Sequence, residues 1–242
     1  MTATPPAAQT IDDLVDANHI LFHQGIVDAF GHVSARHPER SDRFLLARNV
    51  APGLVVAADI LEYDVASAEP IVAEPPRQYL ERFIHSEIYR ARLDVMAVVH
   101  NHSPAVLPFG LVKGARLRPV CHMCGFLGDG PAVFEIRDSA GDASDLLIRS
   151  RELGAALARS LGDGRVILMR GHGCTIVAES LRVAIYRAVY TELNAKLLLQ
   201  ALPLGAVTYL TAAEADATRI TNEGQAERPW NLWKRLAQRA AA

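Results

Sequence analysis

His100 and His102 stand one residue apart where an apolar run, Val95–Val99, gives way to polar sequence. In a β-strand, residues i and i+2 share a face, so the two imidazoles are expected side by side. Neutral imidazole is the commonest protein ligand for transition metals, and two from one strand fix half of a four-coordinate site. A third candidate, His172, follows another apolar run and lies between Gly171 and Gly173, which permit a tight turn and close backbone approach. Glu81, on a helical stretch upstream of the paired histidines, could add a carboxylate to the same ion or act as a base. Spacing alone leaves a plainer account open, with two histidines at a strand mouth and an acid on a helix surface.

These residues need elements to hold them. Thr10-Ile-Asp-Asp reads as an N-cap followed by acids, opening a helix to about Gln24. Short apolar runs broken by turn residues predict strands at His32–Ala35, Phe44–Ala47, Ile60–Asp64 and Pro70–Val72. Helical period marks Gln78–Arg90, with Phe83, Ile84, Ile88 and Tyr89 on one face. Further strands are predicted at Val95–Val99, Val133–Ile136, Arg165–Met169 and Thr175–Val177. Helices are predicted from Asp142 to about Leu161, from Ser180 to about Ala201 and near Ala212–Asn222. Neither an internal repeat nor a linker between two cores is visible. The reading is one α/β domain over residues 10–222, its central sheet largely antiparallel because several strands follow one another closely. Residues 1–9, rich in Ala and Pro, are expected to be a disordered tail. Residues 223–242, with Trp230 and Trp233, form a C-terminal tail suited to a lid, an interface, or docking on the body.

Composition narrows the class of function. Of 242 residues, 50% are hydrophobic and 21% charged, which suffices for one sizeable core. The net charge of −2 leaves no broad basic surface to recruit nucleic acid. No apolar stretch approaches a bilayer span, and the first residues lack the charged and apolar regions of a secretory signal, so a cytoplasmic protein is expected. The three cysteines include Cys121-His122-Met123-Cys124, a spacing that suits a redox pair or half a zinc site. No second pair completes such a site, and buried small hydrophobes are the simpler reading.

Three segments in order, Glu81-Arg-Phe-Ile-His85, Ala97-Val-Val-His-Asn-His102 and Arg170-Gly-His-Gly173, resemble the class II aldolase/adducin family, a likeness running over about residues 10–210. The resemblance implies that His100, His102 and His172 bind zinc or another divalent ion. It implies that Glu81 is a catalytic acid/base able to touch that ion. It further implies a three-layer α/β/α sandwich with a mostly antiparallel central sheet, assembled as a homotetramer with active sites between subunits.

The departures from the family pattern bear on the substrate. Sugar-phosphate members hold the phosphate with a Gly-Asn turn, a Ser-Gly turn and a Ser-Ser pair before the glutamate. Here the matching positions are Gly31-His32, the neighbourhood of Arg48-Asn49-Val50, and Tyr79-Leu80. A phosphate would lose most of its donors there. Arg48 instead offers a planar fork for a carboxylate, while His32 and Tyr79 offer flat walls. Together with Pro119–Leu127, these segments are similar to the family's decarboxylase branch, which acts on hydroxypyridine dicarboxylates and dihydroxyphthalates. The resemblance therefore implies a metal-dependent (Zn or Mn) carbon–carbon lyase that decarboxylates a hydroxy-substituted aromatic or pyridine carboxylate through a metal-stabilised, enolate-like intermediate. Glu81, His85 and His122 are candidates for proton delivery, being of the right chemical type. Two other readings stand beside it: an aldolase or epimerase acting on a hydroxy-carbonyl compound, and a non-catalytic adducin-like interaction module.

Overall fold

The protein is described by a computed structural model covering residues 6–240. Helix α1 (Pro6–His23) leads into strands β1 (His32–His37), β2 (Arg40–Ala47) and β3 (Ile60–Asp64). Helix α2 (Arg82–Ala91) precedes β4 (Ala97–Asn101), and α3 (Leu107–Leu111), β5 (Ala132–Phe134), α4 (Arg137–Ala140) and α5 (Arg151–Leu161) follow. The chain then forms β6 (Val166–Met169), β7 (Gly173–Ala178), α6 (Leu181–Ala201), α7 (Ala212–Glu223) and α8 (Glu227–Ala240).

The seven strands among the described residues form one sheet in the order β3-β2-β1-β4-β7-β6-β5, antiparallel at every pairing except β5 with β6. The central strands β1, β4 and β7 are buried along their whole length. Such burial requires cover on both faces. Helices α1, α6 and α8 pack together against one side, and α2 pairs with α5 on the other, making the expected α/β/α sandwich. Side-chain caps fix the starts of the long helices: Ser150 accepts from the Leu153 N–H, Ser180 from Val183, and Thr211 with Glu214 forms a capping box.

One buried cation ties the sheet to α2. Arg36 of β1 donates to the carbonyls of Val95, Ser41, Tyr89 and Arg92 at 2.6–3.0 Å and is only 4% exposed. Four acceptors from β2, α2 and the approach to β4 replace the water this guanidinium has lost.

Several boundaries differ from the sequence reading. Helix α1 begins at Pro6, so residues 6–9 of the expected tail are helical, and residues 1–5 lie outside the described residues. The run at Pro70–Val72 forms no strand and makes a lone bridge between Pro70 and Tyr63. Helix α2 starts at Arg82 rather than Gln78: hydrogen bonds tie Arg77 and Tyr79 to residues 49–50, and Glu81 becomes the residue that precedes the helix. Helix α5 starts at Arg151, not Asp142; most of the intervening segment is irregular, and Leu146 adopts φ 69. Beyond residue 223 the chain forms α8, which docks on α1: Trp230 is buried beneath the Arg182 guanidinium, and Lys234 meets Asp16.

The turn from β6 to β7 is Arg170-Gly171-His172, with Gly171 at φ +67, a conformation glycine adopts without penalty. Next to it, Gly173 faces β4 so closely that an added Cβ would lie 2.1 Å from the Asn101 carbonyl oxygen. Gly173→Ala should therefore cost about 1–3 kcal/mol, the usual penalty for forcing atoms into a packed site. A urea-unfolding midpoint equal to the wild type's would show that β4 and β7 have room to spare there.

Candidate active site

The strand geometry delivers what the spacing promised. His100 lies within β4, paired with His32 of β1 on one side and Thr175 of β7 on the other, and His102 follows two residues on. The β6–β7 turn brings His172 to the same place. The three Nε2 atoms stand 3.1, 3.2 and 3.1 Å apart. The Leu146 carbonyl, 2.8 Å from Nδ1 of His172, can only accept, so the proton of that neutral ring sits on Nδ1 and a lone pair faces inward. Each Nε2 has two others within reach, yet one proton or one in-plane lone pair serves only one of them. A single cation would serve all three. A triangle of this size has its centre about 1.8 Å from each corner, close to the usual ~2.0–2.1 Å zinc–imidazole distance, so these three residues would fit one such ion.

Glu81 completes the group, with Oε2 at 3.5 Å from the Nε2 of His100 and 3.4 Å from that of His172. Its other oxygen accepts the Ile148 N–H at 2.9 Å. Residues 146 and 148 of one irregular segment thus aim two of the four groups. Potential ligand atoms of Glu81, His100, His102 and His172 all lie within 4.8 Å of one another, and this His/Glu set points to a divalent-metal site.

Electrostatics favour the neutral, ligand form of His100 and His102 and act the other way on His172. Burial, then the neighbouring imidazoles, hold His100 well below the ordinary histidine range. Burial and His172 also lower His102. Burial works against charge on His172 too, but the hydrogen bond and charge of Glu81, with the Leu146 carbonyl, outweigh it and raise that group.

Behind the triad runs a buried polar chain. The His32 ring lies tilted against those of Tyr79 and His100, at 4.8 and 5.0 Å between ring centres. Its Nδ1 lies 2.7 Å from Nε2 of His85; Nδ1 of His85 lies 2.6 Å from the Ser34 hydroxyl, which meets the Tyr89 hydroxyl at 2.8 Å. His85 is wholly buried with both ring nitrogens engaged, so it orients His32 and stands back from any substrate. A cavity of about 230 Å³ opens beside His32, Tyr79, Glu81 and His102, with Phe30, Asn49 and Arg77 among its other walls.

Two sequence candidates lie elsewhere. Arg48 is not among the cavity walls, and its Nε donates to Asp59 at 2.6 Å, so that carboxylate already balances its charge. His122 is exposed on a 3-10 segment, His122–Leu127, and lines a separate cavity with Tyr186, Tyr190 and Trp233. Cys124 is buried with its thiol on the Tyr190 carbonyl, as the simpler reading of the cysteines expects. Among the cavity walls that the sequence did not single out is Arg77, which follows Pro75-Pro76 and stands four places before Glu81.

The fold agrees with that of known proteins. Residues 12–199 match the class II aldolase and adducin N-terminal domain, and the chain belongs to that family. It is 39% identical to the decarboxylase tropJ of Talaromyces stipitatus, over 95% of this chain and 94% of that protein. It is 30% identical to the 3,4-dihydroxyphthalate decarboxylase of Arthrobacter keyseri, over 93% of this chain and 92% of the relative. An L-fuculose 1-phosphate aldolase from Glaciozyma antarctica shares the fold at a TM-score of 0.78 and 20% identity, covering 99% of this chain and 95% of its own. These relatives support a lyase role for the chain.

Burial pushes His85 from the ordinary 6.5 down to about 3. The unfolded chain therefore takes up a proton near pH 6.5 that the folded chain refuses, and stability falls as pH drops from there towards 3. His85→Gln keeps a polar side chain that cannot become charged. Urea unfolding of this variant between pH 6.5 and 4.5 should lose about 1.4 kcal/mol per pH unit of the wild type's acid slope. An unchanged slope would place the acid-sensitive group elsewhere.

Proposed function

We propose that this protein is a divalent-metal-dependent decarboxylase acting on a hydroxy-substituted aromatic or pyridine carboxylate. The observation that carries the reading is the convergence of three imidazole nitrogens and Glu81, two members of which, Glu81 and His102, line a small, ring-walled cavity. Three nitrogens and a carboxylate suit zinc or manganese. By the family likeness, the same reading takes the chain as a cytoplasmic homotetramer.

Decarboxylation breaks the bond between ring and carboxyl carbons, releases carbon dioxide, and leaves an electron pair that needs somewhere to go. When bound, the cation supplies Lewis acidity to the oxygen that receives this charge. The protein's own residues do the rest. Tyr79 and His32 present flat faces to an aromatic ring, and the size of the cavity excludes bulkier substrates. His32 has its Nδ1 occupied by His85, so Nε2 is the atom it offers to substrate. Glu81 is held through one oxygen by Ile148; its other oxygen, beside the ring nitrogens of His100 and His172, is the one placed to carry a proton to the carbon that has lost its carboxyl group.

Protein loaded with Mn²⁺ or Zn²⁺ should release carbon dioxide from hydroxy-aromatic acids. His172→Ala should remain folded while metal affinity falls by more than about 100-fold, beyond the 10–100-fold typical of losing an outer-shell partner, and turnover should disappear with it. Cleavage of simple 3-hydroxy-carbonyl compounds without any carbon dioxide release would instead establish the aldolase reading. Full activity in metal-stripped His172→Ala would end both.

A further inference from the structure

The cavity beside Glu81 is bordered by an arginine that makes no ion pair among the described residues. Arg77 is the only arginine or lysine among its walls. Among the described residues, its guanidinium has neither an ion-pair nor a hydrogen-bond partner. Arg48, its near neighbour in space by way of Asn49, is by contrast held by Asp59. The backbone around Arg77 is firmly placed: the Asn49 N–H donates to the Arg77 carbonyl at 2.8 Å, and two residues on the Tyr79 hydroxyl donates to the Val50 carbonyl. Segment 77–79 is thereby laced to residues 49–50. A fixed backbone limits how far this arginine can stray from the cavity mouth, where it is exposed.

The metal-binding group and Arg77 therefore border one small space. At about 230 Å³ it falls below the ~300–1,000 Å³ of ordinary ligand pockets, so it suits a single ring. A ring whose departing carboxylate lies at the histidines presents its remaining substituents to the other walls. A guanidinium offers two parallel N–H donors that match a carboxylate, a pairing no other wall of this cavity provides.

We propose that Arg77 is a specificity-determining residue that holds a second carboxylate, one that survives the reaction, and so selects two-anion aromatic rings over one-anion rings. The inference rests on the proposed decarboxylase function, whose substrate class it narrows. Arg77 takes no part in bond breaking, so its effect falls on binding and KM more than on kcat.

The test is calorimetric titration of the Mn²⁺-loaded full-length protein with a hydroxyphthalate and with the hydroxybenzoate of the same hydroxyl pattern. Wild type should hold the hydroxyphthalate more tightly. Arg77→Gln should weaken hydroxyphthalate binding about 10-fold or more while moving hydroxybenzoate affinity by less than about twofold, since one bidentate charged pair is lost. Arg77→Lys should recover part of the loss, because the charge returns without the fork. Arg48→Gln should show no such selective loss. The proposal is overturned if wild type shows no preference for the hydroxyphthalate, if Arg77→Gln weakens both ligands equally or neither, or if the selective loss appears in Arg48→Gln. Carbon dioxide release is measured in parallel on the same samples. Its absence from every hydroxy-aromatic acid would sink the decarboxylase reading, while the binding comparison would still decide the role of Arg77.

Discussion

Three imidazole nitrogens facing one another at 3.1–3.2 Å form the constraint around which this structure is arranged. Lone pairs so close repel, and protons can satisfy only some of the contacts. In the proposed reading a cation turns that repulsion into attraction, and the fold's task is to hold the rings in place for it. Pairing between β4 and β7 sets the height of His100 against the turn that carries His172. The near contact of Gly173 with Asn101 lets the two strands close at that level. The irregular chain at residues 146–148 then fixes ring and carboxylate orientation through one carbonyl and one N–H. Leu146 reaches this position in a left-handed conformation that non-glycine residues seldom adopt, a local strain of the kind concentrated at functional sites.

The interior behind the site is unusually polar for a central strand. β1 buries His32, Ser34, Arg36 and His37 along with its apolar residues. Each of the first three finds defined partners: His85 for His32 and Ser34, backbone carbonyls for Arg36. Satisfied networks of this kind rigidify a core, whereas a half-satisfied one would weaken it. Their consequence here is directional. Because His85 occupies one nitrogen of His32, the other is left for the cavity, so a residue that never meets substrate decides which face of His32 does.

Much of this was legible in the letters, for identifiable reasons. His100 and His102 could be paired because a strand's period of two is independent of the rest of the fold. The antiparallel sheet followed from short connections between successive strands. His172 and Glu81 became parts of one site through resemblance, since nothing in local periodicity joins residues so far apart in the chain. Where the reading failed, tertiary contacts were responsible. Asp142-Ala-Ser-Asp resembles a helix start, yet the segment that follows is drawn out of helical form where its backbone meets His172 and Glu81. Arg48 has the right chemistry for a carboxylate, but the fold pairs it with Asp59, eleven residues away. His122 has the right chemistry for proton transfer, but the fold of this chain places it on another cavity.

The central claim is that one cation binds where the three histidine nitrogens converge. Anomalous diffraction from crystals soaked with Mn²⁺ or Zn²⁺, recorded at the metal's absorption edge, tests it most directly. The account predicts a single strong peak per chain, about 2.0–2.3 Å from the Nε2 atoms of His100, His102 and His172. Three histidine rings turned away from one another, or a peak at any other residues with none here, would contradict it.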